Sequence, residues 1–211
     1  FIVRSTQMYL ASLASSVSTA IAETSTNSAS EGAAYSSNFT LQIILLAFAI
    51  IYLWIRHFDF KQLPIRLKWS VFLWVPFIFA IMGLFADMVS TLSGQYNYFS
   101  PQVLAFISPM AVIDKFMALS PMAIAYGLLN GFYEEFFFLG LLTSVKDKYK
   151  WWVLLFSTIV RVSFHTYQGM LWALVIGVAF GLLYYFLYNY KVKNLLPFFL
   201  VHALADMFGS S

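Results

Sequence analysis

Six ionisable side chains stand where an otherwise apolar sequence leaves least room for them: Glu134, Glu135, Arg161, His165, His202 and Asp206. Their spacing groups them. Glu134 and Glu135 are adjacent, Arg161 and His165 are four residues apart, and so are His202 and Asp206, so on helices the last two pairs each share a face one turn apart. A carboxylate beside an imidazole in a water-poor cavity takes a proton from water, because burial raises a carboxyl pKa toward neutrality. A second histidine, supported one turn away by an acid or amide, donates a hydrogen bond to the oxyanion of a tetrahedral intermediate. This is the inventory for peptide hydrolysis without a covalent nucleophile. The same Glu134, His165 and His202 also make a three-ligand set for zinc with one water. Spacing leaves both mechanisms open.

The elements that must position these residues follow from composition. The chain has 211 residues, 61% hydrophobic, 20% aromatic and 10% charged, with a mean hydropathy of +0.78. A soluble domain carries roughly a quarter charged residues, so this chain has too few for a water-facing surface. Long apolar runs between short polar stretches predict an all-α, polytopic membrane bundle of six to seven transmembrane helices around a buried polar site. The runs are Leu41 to Ile55, Trp69 to Ala86, Met117 to Thr143, Trp151 to Phe164, Met170 to Tyr190 and Leu195 to Phe208. Met8 to Ala22 reads as the end of a further span or an amphipathic surface helix, and Glu23 to Thr40 as a solvated Ser/Thr-rich loop. Residues 1–40 thus form an N-terminal helix end and outer loop, and 41–211 the transmembrane domain. Val103 to Ile113 is too short to span; it reads as an interfacial or re-entrant helix ended by Asp114 and Lys115. The chain starts at Phe1 and is expected to be a piece of something longer.

Basic residues fall in three loops, at Arg56 to Lys68, Lys146 to Lys150 and Lys191 to Lys193, while the loops at Met88 to Gln102 and Thr166 to Gly169 have none. The positive-inside rule then sets an alternating topology with the three basic loops in the cytoplasm. At about 1.5 Å per residue, Glu134 lies roughly 18 Å from Lys146, His165 roughly 22 Å from Lys150 and His202 roughly 14 Å from Lys193. All three depths fall inside the hydrocarbon layer, so the residues can converge on one site. With no cysteine, disulfides and thiolate chemistry are excluded.

At these residues the sequence resembles the CPBP family of CAAX-prenyl proteases and bacteriocin-processing enzymes, also called the ABI family. Its pattern is Glu-Glu-x-x-x-Arg, then Phe-x-x-x-His, then His-x-x-x-Asn or Asp, on successive membrane helices. Here the stretches read Glu134-Glu135-Phe136-Phe137-Phe138-Leu139, Arg161-Val162-Ser163-Phe164-His165 and His202-Ala203-Leu204-Ala205-Asp206. The resemblance covers residues 118–209. It implies an intramembrane endopeptidase, glutamate-type or metallo-type, in which Glu134 and His165 activate water and His202 and Asp206 stabilise the oxyanion. It also implies that Glu135 partners the motif arginine. That position is Leu139, and Arg161 stands where the second motif has Phe. Arg161 is therefore expected to supply the missing positive charge from the neighbouring helix, since an uncompensated buried carboxylate pair is costly. The stretch Arg161 to Gly169 looks like a bacterial branch of the family.

Three functions compete on these grounds. The leading one is hydrolysis of a peptide or membrane-associated protein at a multi-pass site in a bacterial plasma membrane. A proton-coupled transporter is the second, weakened by the lack of an internal repeat. The third is an inactive family member serving as scaffold or regulator for a partner membrane or cell-surface protein. No cofactor is certain, and zinc on Glu134, His165 and His202 is the one left open. The lipid bilayer is an expected partner and nucleic acid is not.

Overall fold

A computed structural model describes residues 2–18, 28–101, 103 and 109–209. Among them are eight helices and no strand. They are α1 (Ile2–Ser18), α2 (Ser28–Ile55), α3 (Trp69–Leu92), α4 (Pro109–Met117), α5 (Pro121–Glu135), α6 (Lys150–His165), α7 (Met170–Val192) and α8 (Leu196–Gly209). Helix α5 continues without a break into a π turn over Phe136–Leu141, and α7 contains two more, over Val175–Phe180 and Tyr188–Val192. Three helical segments are long and apolar enough to cross a membrane, Asn38–Ile55, Trp69–Leu92 and Met170–Val192, and Leu196–Phe208 is a shorter apolar helix. The described residues are all-helical, and their apolar helices mark a multi-pass membrane protein. Fewer segments reach spanning length and apolarity than the expected six to seven, because α6 and α8 are shorter and Asn130, Glu134 and Glu135 interrupt the apolar run of α5 and its π turn.

Local chemistry moves several boundaries. The run expected to start at Met117 breaks at 118–120 and restarts at Pro121, where the Ser120 hydroxyl accepts from the Ala123 amide at 3.1 Å and proline occupies the first helical position. Asp114 and Lys115 lie inside α4 and do not end it. Lys115 reaches the Phe208 carbonyl at 3.1 Å, which satisfies an acceptor at the end of α8. Part of the expected Ser/Thr-rich loop is helix, since α2 begins at Ser28; the start of that loop and the end of the helix expected before it, residues 19–27, lie outside the described residues. Much of Val103 to Ile113 lies outside them too.

The chain divides into two compact units. The first comprises Phe1–Glu31, Asp59–Pro64 and Glu134–Leu195. Its interior holds Leu63, Leu139, Ala173, Tyr184 and Leu195, all nearly fully buried. Helix α7 approaches α6 through Gly177 and Gly181, one turn apart. A Cβ on Gly177 would sit 2.7 Å from the Val162 amide nitrogen and 2.8 Å from its Cα, and one on Gly181 would sit 3.4 Å from Arg161 Cδ. The turn between α6 and α7 ends at Gly169, whose φ of 91° favours glycine. Helix α1 is anchored by buried Ser5, whose hydroxyl bonds Thr166 Oγ1 at 2.8 Å and accepts from the Tyr167 amide at 3.0 Å.

The second unit comprises Gly32–Phe58, Ile65–Tyr133 and Leu196–Ser211. Val71, Ile78 and Met82 of α3 and Phe198, Val201 and Ala203 of α8 are buried there. Phe132 packs edge-on against Phe199, with centroids 5.0 Å apart. A second glycine pair, Gly127 and Gly131, brings α5 against α8. A Cβ on Gly131 would meet the Phe199 carbonyl oxygen at 2.7 Å and the Ala203 nitrogen at 2.8 Å. Small residues at i, i+4 let helix backbones approach where apolar lipid supplies no driving force of its own.

Gly131→Ala is expected to lower the melting temperature in detergent, since its obstacles are backbone atoms and overpacking costs about 1–3 kcal/mol. Gly83→Ala, inside α3 with nothing near its Cβ position, is expected to hold or raise it by up to about 1 kcal/mol. Thermal unfolding of the two variants side by side checks the contrast; equal melting temperatures would remove the close-approach argument.

Candidate active site

Glu134 and Glu135 close the last α-helical turn of α5, immediately before the π turn. Both are buried, Glu135 completely. The π turn widens the ladder by one residue at this point, and such bulges recur at functional sites. It also buries Leu139, the position where the family pattern has arginine.

The cation comes from α6. Arg161 Nη1 donates to Glu135 Oε1 at 3.0 Å and Nη2 donates to Oε2 at 2.9 Å, a two-pronged pair between buried groups. The guanidinium carbon stands 4.8 Å from the centroid of the Phe138 ring, which packs edge-on to Phe164. The planar fork matches a carboxylate in a way an ammonium does not. The charge absent at Leu139 is thus supplied one helix away.

His165 is the last residue of α6 and is buried. Its Nδ1 lies 2.8 Å from the carbonyl oxygen of Arg161. A carbonyl only accepts, so Nδ1 carries the hydrogen, and in the neutral ring Nε2 presents its lone pair toward Glu134 Oε2, 3.8 Å away. That gap exceeds a direct hydrogen bond and suits a water that donates to both atoms. Tyr167 lies nearly parallel to the imidazole, with centroids 6.4 Å apart, and its hydroxyl accepts from Gln168 Nε2 at 2.8 Å. Glu134, Glu135, Arg161 and His165 thus come together within the first unit.

His202 and Asp206 come together in the second, one turn apart on α8, with Nε2 3.7 Å from Oδ1. Asp206 Oδ2 accepts from Asn130 Nδ2 at 2.8 Å, and Asn130 Oδ1 accepts from Gln42 Nε2. Asn130 and Gln42 have no role in the sequence reading. Their one sequence signal is polarity inside apolar helical runs, which serine and threonine share. The glycine pairs have none there either, although Gly127 to Gly131 and Gly177 to Gly181 carry a readable i, i+4 spacing.

A catalytic zinc ion commonly takes three protein ligands. Glu134 and His165 provide two donors, and among the described residues no group of three or more His, Asp or Glu is gathered to hold a metal.

Residues 116–208 match the family model described as Rce1-like, "Type II CAAX prenyl endopeptidase Rce1-like". The segment contains all six motif residues, and the match agrees with the CPBP resemblance. No curated protein and no solved structure gives a significant match.

Arg161→Leu is expected to destabilise the protein by about 3–5 kcal/mol by leaving Glu135 buried without its partner. The double variant Arg161→Leu/Glu135→Leu is expected to recover most of that loss. Thermal unfolding in detergent reads both; a double variant no more stable than the single would count against the pair as the source of the cost.

Proposed function

We propose that this protein is an intramembrane endopeptidase that hydrolyses a peptide bond with water activated by Glu134 and His165. The observation that carries the reading is the facing of Glu134 Oε2 and a His165 Nε2 whose lone pair is freed by the Nδ1 contact with Arg161. The Rce1-like match over residues 116–208 supports the same reaction class. The catalytic residues all fall in 118–209, within a protease domain proposed over 41–211.

In the proposed reaction a water donates one hydrogen to His165 Nε2 and the other to Glu134. As the water oxygen attacks the scissile carbonyl carbon, its proton passes to Glu134, and the carbonyl oxygen becomes an oxyanion. On the strength of its motif, His202 is assigned a hydrogen bond to that oxyanion, with Asp206 supporting the imidazole. Collapse of the intermediate breaks the carbon–nitrogen bond, and Glu134 returns its proton to the leaving amine. A new carboxylate and a new amine result. Glu135 stays ionised and paired with Arg161, so it takes no proton from the water. No step needs a metal, so the enzyme is proposed as glutamate-type. The proposed substrate is a peptide or membrane-associated protein, and the proposed setting a bacterial plasma membrane.

Purified protein in detergent is expected to cleave members of a quenched peptide library, with Glu134→Ala and His165→Ala each reducing the rate by about 10²- to 10⁴-fold. A chelator is expected to leave wild-type cleavage unchanged. Loss with chelator would turn the mechanism into a metal one, and a folded wild type without cleavage would favour a scaffold bound to a partner membrane protein.

A further inference from the structure

Helix α2 lies outside the segment matched by the family, and most of its described side chains are exposed. Among its described side chains only Gln42 is buried, at 1% exposure. An apolar helix whose one buried side chain among the described residues is polar has not placed it there for packing. Gln42 Oε1 has no hydrogen-bond partner among the described residues. A buried acceptor left in this way is a cost that leucine at the same position would avoid. Its Nε2 hydrogen bond to Asn130 is what distinguishes the glutamine.

The direction of that bond follows from its far end. An ionised carboxylate only accepts, so Asp206 requires Asn130 to turn its NH2 group toward Oδ2. The Asn130 oxygen then faces Gln42, which must answer with its own NH2 group. Asp206, held at Oδ2, presents Oδ1 to His202 Nε2. Two directional hydrogen bonds therefore run from Gln42 through Asn130 to Asp206, whose Oδ1 faces His202 Nε2 at 3.7 Å, an electrostatic approach longer than a hydrogen bond, wholly inside the second unit. Gly127 and Gly131 flank Asn130 on α5 and set its height against α8 by their contacts with Ala203.

We infer that Gln42 and Asn130 are positioning residues: Gln42 locks the Asn130 amide so that it donates to Asp206, and Asp206 held in this way orients the His202 ring. The effect on rate rests on the hydrolytic reading above, whereas the effect on His202 does not. Hydrogen-bonded supports of this kind fix the orientation of the group that acts, and losing one is felt at the reaction without any contact to substrate.

The test uses the full chain in detergent with ring-15N histidine. The protein has three histidines, His57, His165 and His202, so each ring is followed separately. In Gln42→Leu and in Asn130→Leu the His202 ring signals are expected to move while those of His57 and His165 stay. With the quenched peptide library, kcat is expected to fall between about ten- and a hundredfold with KM unchanged. The Gln42→Leu melting temperature is expected to stay close to that of wild type, because the unmatched Gln42 acceptor is gone while Asn130 Oδ1 loses its Gln42 donor; Gln42→Met serves if the leucine variant does not fold. The double variant is expected to lose no more activity than Asn130→Leu alone, since both act through one chain. Unmoved His202 signals in a folded Gln42 variant would overturn the inference, as would an unchanged kcat in an active enzyme. Moved His202 signals in a protein that cleaves nothing would uphold the positioning chain and remove the hydrolytic reading.

Discussion

Two adjacent carboxylates buried in an apolar helix must be compensated, and the fork between Arg161 and Glu135 is the interaction on which the rest of the first unit depends. Removing a charge from water costs several kcal/mol even after relaxation, of the order of 3–5 kcal/mol when a partner is then lost. The pair meets this with two parallel hydrogen bonds, near-complete burial of both groups and the face of Phe138 against the guanidinium. It pairs Glu135 with a fixed cation, which is why the proposed proton transfer is assigned to Glu134. Adjacent residues of like type thus stand in different surroundings, the physical logic of paired acids elsewhere.

Packing in both units serves the polar groups. Helix α7 closes on α6 through Gly177 and Gly181, and the second of these sits against the Arg161 side chain. In the second unit Gly127 and Gly131 close α5 on α8 around Asn130. Any larger residue at Gly131 or Gly177 would press on backbone and move the helix that carries a functional group. Small-residue seams of this kind trade side-chain burial for register, and register is what hydrogen-bonded groups at 2.8–3.0 Å require.

Much of this was legible in the sequence, because charge inside an apolar run is costly and hence conspicuous. Glu134, Glu135, Arg161, His165, His202 and Asp206 announce themselves in this way, and so does the helical, multi-pass architecture. Other features carry no such signal. Gln42 and Asn130 are neutral, and only a partner found 88 positions away in the chain gives either a meaning. The π turn after Glu135 leaves no mark in composition. Helix α2 begins among serines and alanines that read as loop, since local propensity is a weak guide to where a helix starts. Asp114 and Lys115 looked like a terminus, whereas Lys115 instead caps another helix across the sequence.

An arginine on α6, where the pattern that the sequence resembles has one at the Leu139 position, does more than supply charge. An arginine one turn along α5 would pair with Glu135 inside a single helix and say nothing about the histidine. Arg161 shares α6 with His165, and its own backbone carbonyl receives the Nδ1 hydrogen of that imidazole. One residue therefore neutralises Glu135 through its side chain and sets the His165 tautomer through its main chain. If α6 slid along its axis, the fork and the Nε2 approach to Glu134 would be lost together. The arrangement replaces two independent supports with one, so the electrostatics of the carboxylates and the basicity of the facing imidazole are governed by a single helix register.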